Sequence, residues 1–307
     1  MKQLHPRLCI GKKYHILTAW SGRSAVWLAH QYGVLVAAGS NPVAPILYFH
    51  FARISRFFPV VSLLILLSND DGIGSEGLIA LKEELSRIDE VWAIAPERER
   101  TCVGHAITLH KPLRIKEHGE RLFSTNGTPA DAILLGVKGL LQRKPDLVIS
   151  GINKGPNMGQ DVTYSGTVAA AKEAAFMDIP SLAVSLNGRK DFLFNEAART
   201  VREIVEKVRA RPLPEQTLLN VNIPNLPRES IRGFKVTRLG KRIYNGKVVE
   251  RTDPRGGKYY WISGDSDRFE PVEGTDLLAV SQGYISITPL HWDMAADVAM
   301  ESFKEMF

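Results

Sequence analysis

Two adjacent carboxylates are the first residues along the chain that could do chemistry. Asp70 and Asp71 directly follow an apolar run, within the segment Ser68-Asn69-Asp70-Asp71-Gly72. Two like charges in a partly desolvated place raise each other's pKa, and a divalent cation removes that cost. Carboxylate oxygens are also the ligands that Mg²⁺ and Mn²⁺ prefer. A helix cap is the competing interpretation, but a cap needs only one carboxylate, so the pair predicts a metal site.

Two later segments place further polar residues where predicted strands end. Residues 96–105 combine charges, a hydroxyl and a glycine, which alone is typical of a solvated loop with His105 as a structural hydrogen-bonding residue. Residues 150–168 contain four glycines and two asparagines, which indicates a backbone that comes close to a ligand. Ser165-Gly166-Thr167 begins a predicted helix whose free N–H groups can hold a phosphate. A glycine-rich turn with an ordinary serine cap is the alternative interpretation.

Alternating strands and helices must position these segments. Short apolar runs predict strands that are buried on both faces. The runs are 63–67, 91–95, 147–150, 181–185 and 218–223. Helical spacing and capping signals predict helices at 75–87, from Thr128 onward, at 166–176 and at 196–209. The alternation predicts a three-layer α/β domain with a mostly parallel central sheet, in which ligands bind beyond the carboxyl ends of the strands.

The pattern changes after about residue 232. Asn245-Gly246 lies between two strand-like runs and predicts a hairpin, and residues 253–256 predict another turn. A β-rich arm over about 232–307 is too thin to hold its own core, so we expect it to pack on another subunit.

The first 62 residues differ in character from the remainder. They contain seven of the 39 Lys and Arg residues and none of the 33 acidic ones, so residues 63–307 are close to neutral and no nucleic-acid polymer is expected as a partner. We expect a dispensable extension, with a targeting segment or a structural element as alternatives. Polar residues and prolines interrupt the apolar stretch 33–52, so no stable membrane association is expected. Two cysteines fit a reducing compartment, and we expect the cytoplasm.

A competing motif overlaps the two aspartates. Gly72-x-Gly74-x-x-Gly77 follows a strand, and Glu97 lies at the end of the next, as in the dinucleotide-binding fingerprint of an NAD(P)-dependent oxidoreductase. Two carboxylates at the mouth of a pyrophosphate site would repel that cofactor. The Asp-x-Asp spacing of a haloacid-dehalogenase-type phosphatase is absent from this segment.

Three segments together resemble the signature loops of the SurE family of nucleotidases. They are residues 66–72, the loop 100–108 and residues 150–157, and residues 164–171 and 286–290 are similar as well. The resemblance covers about three quarters of the chain and begins near residue 62. It implies a Rossmann-like domain with an oligomerising β-arm, a homodimer or homotetramer, and hydrolysis of nucleoside 5′- or 3′-monophosphates. A non-catalytic module that binds a metal or a nucleotide is the alternative.

The resemblance also implies a set of site residues. One divalent cation, Mg²⁺ or Mn²⁺, would be held by Asp70, Asp71, Thr101 and Asn153, with the two aspartates as the catalytic pair. Thr101 departs from the serine usual in the family, but it keeps the oxygen ligand and adds a methyl group. The candidates for holding the phosphate are Gly104, His105, Asn157, Ser165, Gly166 and Thr167.

Overall fold

The protein is described by a computed structural model. It covers residues 62–244, 246–263, 268–293, 295, 297–304 and 306–307, together with two short strands near the N-terminus. The chain divides into two compact units, Met1–Val60 and Val61–Phe307. In the first unit, β1 (Val26–Ala29) pairs with β2 (Val34–Ala37) in antiparallel orientation. The rest of the expected extension lies outside the described residues, and its dispensability stays a prediction.

Nine strands form the central sheet of the second unit. They are β3 (Leu64–Ser68), β4 (Glu90–Pro96), β5 (Ile115–Gly119), β6 (Leu122–Thr125), β7 (Leu147–Lys154), β8 (Ser181–Asn187), β9 (Thr217–Pro224), β10 (Phe234–Val236) and β13 (Ile285–His291). Their order is β10-β13-β9-β8-β7-β3-β4-β6-β5. The six strands from β9 to β6 are mutually parallel, and the others run in the opposite direction.

Helices cover both faces of this sheet. They are α1 (Glu76–Leu85), α2 (Pro129–Leu135), α3 (Gly166–Phe176) and α4 (Phe194–Ala210), followed by the shorter α5 (Asp276–Ser281) and α6 (Asp297–Lys304). Helix α1 packs beside α4 on one face, and α2 packs beside α3 on the other. The predicted three-layer α/β architecture is confirmed. Among the described residues, no helix combines the length and the apolar character that crossing a membrane takes.

Strand β3 is apolar throughout because both of its faces are covered. Ile65 and Leu67 contribute to the core beneath α1 and α4, whereas Leu66 points to the opposite core with Ile133 of α2. The side chains of Ile65, Leu66 and Leu67 are each at most 1% exposed. An uninterrupted apolar run is what a strand in this position needs, since alternation would put polar groups in one of the two cores.

The chain changes direction across the sheet beside β3. It proceeds from β3 outward to β4 and later returns to β7, on the other side of β3. The carboxyl ends of β3 and β7 therefore flank a topological switch point, where open α/β sheets bind their ligands. The two segments that sequence analysis singled out around residues 70 and 153 leave the sheet at these ends.

The C-terminal region contains the predicted β-rich arm, but part of it belongs to the central sheet. Strands β10 and β13 extend the central sheet, and only β11 (Lys247–Thr252) and β12 (Lys258–Ser263) form a separate antiparallel ribbon. The turn of this ribbon is at 253–257, in agreement with the turn predicted at 253–256. Asn245, in the hairpin predicted at Asn245-Gly246, lies outside the described residues; on either side of it, Arg242 bridges to Phe269, and Val248 pairs with β12. The residues before the Asn-Gly pair do not form a strand because they bond to the helical turn Gly159–Thr163.

The glycines at 72–77 serve packing and a tight turn. A Cβ at Gly77 would lie 2.1 Å from the carbonyl oxygen of Ile152, so Gly77 lets α1 approach β7. The turn's amides are already used: Gly72 N–H donates to Asn69 Oδ1 at 3.1 Å, and Ile73 N–H to the carbonyl of Pro96 at 2.9 Å. With these donors used, the fingerprint cannot bind a pyrophosphate as a dinucleotide site does.

Candidate active site

Asp70 lies immediately beyond β3 and is only 6% exposed. The hydroxyl of Thr167 donates a hydrogen bond to its carboxylate. Desolvation raises the pKa of Asp70, and the hydrogen bond from Thr167 counters part of that increase, as do the backbone groups of Gly166 and Thr167. Asp70 is therefore a buried carboxylate whose partners are hydrogen-bond donors, an arrangement that a cation stabilises.

Asp71 is the second carboxylate and faces the third loop. The backbone N–H of Lys154 donates to Asp71 Oδ2 at 3.0 Å, which joins the ends of β3 and β7. Burial raises the pKa of Asp71 to about 6, and the neighbouring charge of Asp70 adds to the increase. The like-charge repulsion that the sequence predicted is thus present in the structure.

The loop after β4 is attached to the same pair of aspartates. The N–H of Arg100 donates to the backbone carbonyl of Asp70 at 2.7 Å, and the Arg100 guanidinium holds the carbonyl of Asn126 at 3.0 Å. Thr101 is the next residue, and its hydroxyl donates to the carboxylate of Glu99. The negative charge of Glu99 also contributes to the raised pKa of Asp71. Sequence analysis missed Glu99, since a charged residue in a charged loop carries no distinguishing signal.

Asn153 lies near the end of β7, where the register with β8 shifts between Ser150 and Asn153. Its amide nitrogen donates to the carbonyl of Gly155 at 2.9 Å. That bond orients the side chain and leaves the amide oxygen, the atom that hard cations bind, for a ligand. Asn153 directly precedes Lys154, whose N–H is bonded to Asp71.

The first turn of α3 borders the site on the face of the sheet that α2 and α3 cover. Ser165 caps the helix by accepting the N–H of Val168 at 3.1 Å. A Cβ at Gly166 would lie 2.9 Å from Asp70 Oδ2 and 3.1 Å from Cγ of Pro129. Only glycine fits there, so the start of α3 lies directly against Asp70. The structure thus brings Gly166 and Thr167 to Asp70, with Ser165 directly before them as the cap of α3.

Gly104 and His105 fix the second loop to α3. Gly104 N–H donates to the carbonyl of Tyr164 at 3.0 Å, and Gly104 has the positive φ of 59° that glycine adopts without strain. His105 Nε2 lies 2.7 Å from Glu173 Oε2, and Glu173 is only 5% exposed. Glu173 is seven residues beyond Gly166, a rise of about 10 Å along the helix. His105 is therefore an anchor for the loop at mid-helix, and its role as a phosphate ligand gains no support from this position.

Asn157 is held inside the protein. Its amide nitrogen donates to Ser185 Oγ at 2.7 Å, and its backbone N–H donates to Asn222 Oδ1 at 2.9 Å. Its carbonyl accepts from the amide nitrogens of Asn220 and Asn222 at 2.8 and 2.9 Å. Because all of these groups already have partners, Asn157 fixes the third loop to β8 and β9, and the structure gives its side chain no role toward a phosphate.

The donor atoms around Asp70 and Asp71 fit a hard divalent cation. Two carboxylates, the amide oxygen of Asn153 and the hydroxyl of Thr101 are all oxygen ligands of the kind that Mg²⁺ and Mn²⁺ bind. Among the described residues, no cluster of three His, Cys, Asp or Glu side chains could hold a metal, so a site of the soft, zinc-binding type is not found there. The raised pKa of each aspartate marks the charge that such a cation would neutralise.

The fold and the site define a class: a doubly wound α/β protein with two adjacent aspartates and a helix N-terminus at its switch point. Residues 65–246 match the family described as Survival protein SurE. The chain belongs to this family.

The match to each of the following relatives extends over most of that relative's length. The chain is 50% identical over 231 residues to "5'-nucleotidase SurE" of Geotalea daltonii, covering 75% of this chain and 93% of that protein. It is 49% identical over 232 residues to the protein of the same name from Geobacter sulfurreducens, covering 75% of this chain and 88% of that one. The crystal structure of the Sure protein from Aquifex aeolicus superimposes with a TM-score of 0.73 at 46% identity, covering 79% of this chain and 99% of that chain.

Proposed function

We propose that this protein is a 5′-nucleotidase, a phosphatase that converts nucleoside monophosphates into nucleoside and inorganic phosphate. The observation that carries the proposal is the convergence of three loops on two aspartates in a chain that is 50% identical to a 5'-nucleotidase over three quarters of its length. Each loop contributes a bond: Arg100 to Asp70, Lys154 to Asp71 and Thr167 to Asp70. Hydrolysis of 3′-monophosphates is part of the same proposal.

Asp70, Asp71, Thr101 and Asn153 would hold one Mg²⁺ or Mn²⁺ ion. When bound, such an ion polarises the phosphoryl oxygens and lowers the pKa of water to the range where it becomes a nucleophile. Thr101 reaches this role by turning its hydroxyl away from Glu99, a small rotation at an exposed side chain. The two aspartates stay ionised at neutral pH with the ion in place, because it cancels the repulsion between them.

The start of α3 would bind the phosphate. Because residue 166 is glycine, the first turn of α3 can lie directly against Asp70, which puts the helix N-terminus beside this carboxylate. A helix N-terminus carries partial positive charge, which favours a phosphate beside it. Holding the phosphate here orients it for attack in line with the leaving oxygen, which is most of what phosphoryl transfer asks of a protein.

Self-association is the expected state of the molecule, as a homodimer or homotetramer. The ribbon of β11 and β12 exposes Trp261 and Ile262, which are 64% and 90% exposed. Apolar surface of this kind on a two-stranded ribbon is typical of a contact with another chain. Light scattering of the purified protein measures the number of subunits.

A phosphatase assay on the purified full-length chain tests the function. We expect release of phosphate from nucleoside 5′-monophosphates with Mg²⁺ or Mn²⁺, complete loss of activity with EDTA, and recovery when the ion is restored. Equal turnover in a rigorously metal-free preparation would contradict the metal site. Nucleotide binding without turnover in the presence of each ion would favour the non-catalytic alternative.

A further inference from the structure

An exposed aromatic surface borders the start of α3 and has no role in the site described above. Tyr164 directly precedes Ser165, the cap of α3, and is 62% exposed. Tyr244 is 49% exposed. Burial of its phenol raises the pKa of Tyr244 to about 12, the bond and charge of Asp161 add to this, and a smaller contribution comes from Tyr164. The N–H of Tyr164 donates to the carbonyl of Asp161 at 3.0 Å, and the Tyr244 hydroxyl donates to the carboxylate of the same residue. The two tyrosines therefore meet at Asp161, although 80 residues separate them in the sequence.

A dense set of bonds holds this surface in place. The Tyr244 hydroxyl donates to the carboxylate of Asp161, and Arg242 Nε lies 2.9 Å from Asp161 Oδ2. Gln160 binds the backbone of Arg242 twice, as a donor to its carbonyl at 2.7 Å and as an acceptor from its N–H at 2.9 Å. Residues 242–244 are thereby fixed to the helical turn Gly159–Thr163, which leads straight into Tyr164.

The ion pair within this set is largely shielded from water. The side chains of Arg242 and Asp161 are 13% and 21% exposed, respectively. Desolvating two charges costs free energy, which the pairing and the added hydrogen bonds must offset. This arrangement holds the half-exposed ring of Tyr244 in place, while bonds to Asp161 and Gly104 fix the backbone of Tyr164. Exposed aromatic surface that is held rigid is typical of a binding site.

Position and chemistry together indicate what binds there. Tyr164 is next to the cap of the helix that receives the phosphate under the proposed function. In a nucleotide, the base lies beyond the sugar from the phosphate, so it would extend over the rim of the site where the rings are. Flat aromatic side chains bind bases by stacking, with little dependence on base identity.

We propose that Tyr164 and Tyr244 form the subsite for the nucleobase, so that the enzyme prefers nucleotides to sugar phosphates without a base. This inference rests on the proposed function. Asp161 and Arg242 are positioning residues in it, because they act by fixing the ring of Tyr244. No hydrogen-bonding code for a particular base is part of the proposal, since stacking alone discriminates weakly between bases.

The test compares a nucleoside 5′-monophosphate with ribose 5-phosphate, which has the same sugar and phosphoester but no base. For the full-length enzyme with Mn²⁺, we expect kcat/KM to be higher for the nucleotide. Tyr164→Leu and Tyr244→Leu should each lower kcat/KM for the nucleotide roughly 5- to 100-fold, mostly through KM, the range that loss of one stacking partner gives. Ribose 5-phosphate should lose far less.

Two controls separate the ring from other effects. Tyr164→Phe keeps the ring and should keep most of the preference. Tyr260→Leu makes the same change at a tyrosine that is 57% exposed but lies on β12, away from the central sheet, and should leave the preference as it is.

The outcomes distinguish this inference from the function on which it rests. If the enzyme turns over both substrates with equal kcat/KM, the base subsite is wrong and the phosphatase stands. If the leucine variants lose both substrates in parallel, or lose activity together with a change of subunit number in light scattering, the tyrosines serve the fold or a subunit contact and the proposal is overturned. If neither substrate is hydrolysed with any divalent ion, the proposed function itself fails.

Discussion

The hydroxyl of Thr167 donates a hydrogen bond to the carboxylate of Asp70, across 97 residues of sequence. Thr167 is completely buried, and Asp70 nearly so. The first turn of α3 and the loop after β3 are thus joined by a side chain that no ligand can reach. The bond lowers the pKa of Asp70 against the effect of burial and fixes the direction of its oxygens.

Replacing Thr167 by valine keeps the shape of the side chain and removes this donor. We expect Thr167→Val to weaken Mn²⁺ binding by about 10- to 100-fold, the usual effect of losing a partner that orients a metal ligand. Thr167→Ser keeps the hydroxyl and is the matched control, with binding close to that of the wild type. Titration calorimetry measures both. Equal affinity in all three proteins would mean that the bond does not orient Asp70 for a metal.

Asp71→Asn should abolish activity and leave the metal-free protein as stable or more stable at pH 7. Burial, together with the charge of Asp70, raises the pKa of Asp71 from 3.8 to about 6. The folded state thus binds this proton more tightly than the unfolded chain. Stability of the metal-free wild type is therefore lost as the pH rises between about 4 and 6, a loss absent below that window and complete above it.

Thermal unfolding in EDTA at pH 4.5 and pH 7 isolates this effect as the difference between wild type and Asp71→Asn. The variant should gain melting temperature relative to the wild type at pH 7, and less so at pH 4.5. A loss of several degrees in the variant at both pH values would instead show that Asp71 serves as a structural acceptor for Lys154.

Thr101 tests whether the second loop supplies a ligand. Thr101→Ser keeps the hydroxyl and should bind Mn²⁺ and turn over substrate as the wild type does. Thr101→Val keeps the shape but deletes the oxygen, and we expect weaker metal binding and lower turnover, by about tenfold or more. The side chain is exposed, so neither change should affect the melting temperature. Identical metal affinity for the three proteins would remove Thr101 from the metal site.

Gly166→Ala should disrupt the site through steric overlap of the added Cβ with Asp70. The added Cβ would lie 2.8 Å from Asp70 Cβ and 2.9 Å from Oδ2, so the carboxylate or the helix has to move. We expect kcat/KM to fall by about 10- to 100-fold, with a stability loss of about 1–3 kcal/mol from overpacking. Gly74→Ala is the control, since its Cβ would meet no atom within 4 Å. Steady-state kinetics and thermal unfolding should separate the two, and similar losses in both variants would argue against a steric cause.

Removal of residues 1–61 should leave an active enzyme. Among the described residues, the bonds that build the site lie beyond residue 62, and the Aquifex aeolicus chain matches 79% of this one along 99% of its own length. A protein consisting of Met followed by Ser62–Phe307 should match the full chain in melting temperature and turnover. It should bind polyanions less, because seven basic residues are gone. Aggregation of the short form, or a clear drop in its melting temperature, would show that the first segment is part of the structure.

Strong local signals made the central part of the fold predictable. The helix expected at 166–176 has those bounds, and Thr128 caps α2 with the reciprocal hydrogen bonds to Asp131 that its spacing indicates. β7 is longer than predicted and runs to Lys154, because glycine and asparagine ended the apolar pattern before the strand ended. Asn245 of the predicted Asn-Gly turn lies outside the described residues, and Gln160 and Asp161 hold residues 242–244 in long-range bonds that no local pattern reveals.

The candidate site shows the same contrast between residues with a local signal and residues whose roles depend on distant partners. Adjacent carboxylates after a buried strand are a local signal, so Asp70 and Asp71 could be singled out from the sequence. His105 and Asn157 gave a misleading signal, since a polar residue beside glycine can face a ligand or a distant neighbour. The partners that decide between these, Glu173 and Ser185, lie 68 and 28 residues further along the chain.

Asp70 and Asp71 are each bonded to a residue far along the chain, and this separation determines when the site can form during synthesis. Lys154 follows Asp71 by 83 residues, and Thr167 follows Asp70 by 97. At translation rates of about 5–20 residues per second, roughly 5 to 20 seconds pass before Thr167 can reach Asp70. Until then the two carboxylates are on a growing chain that has no closed site and remain hydrated. Under the proposed function, a newly made chain would not bind a metal tightly until α3 has emerged, so metal capture would follow folding of the domain.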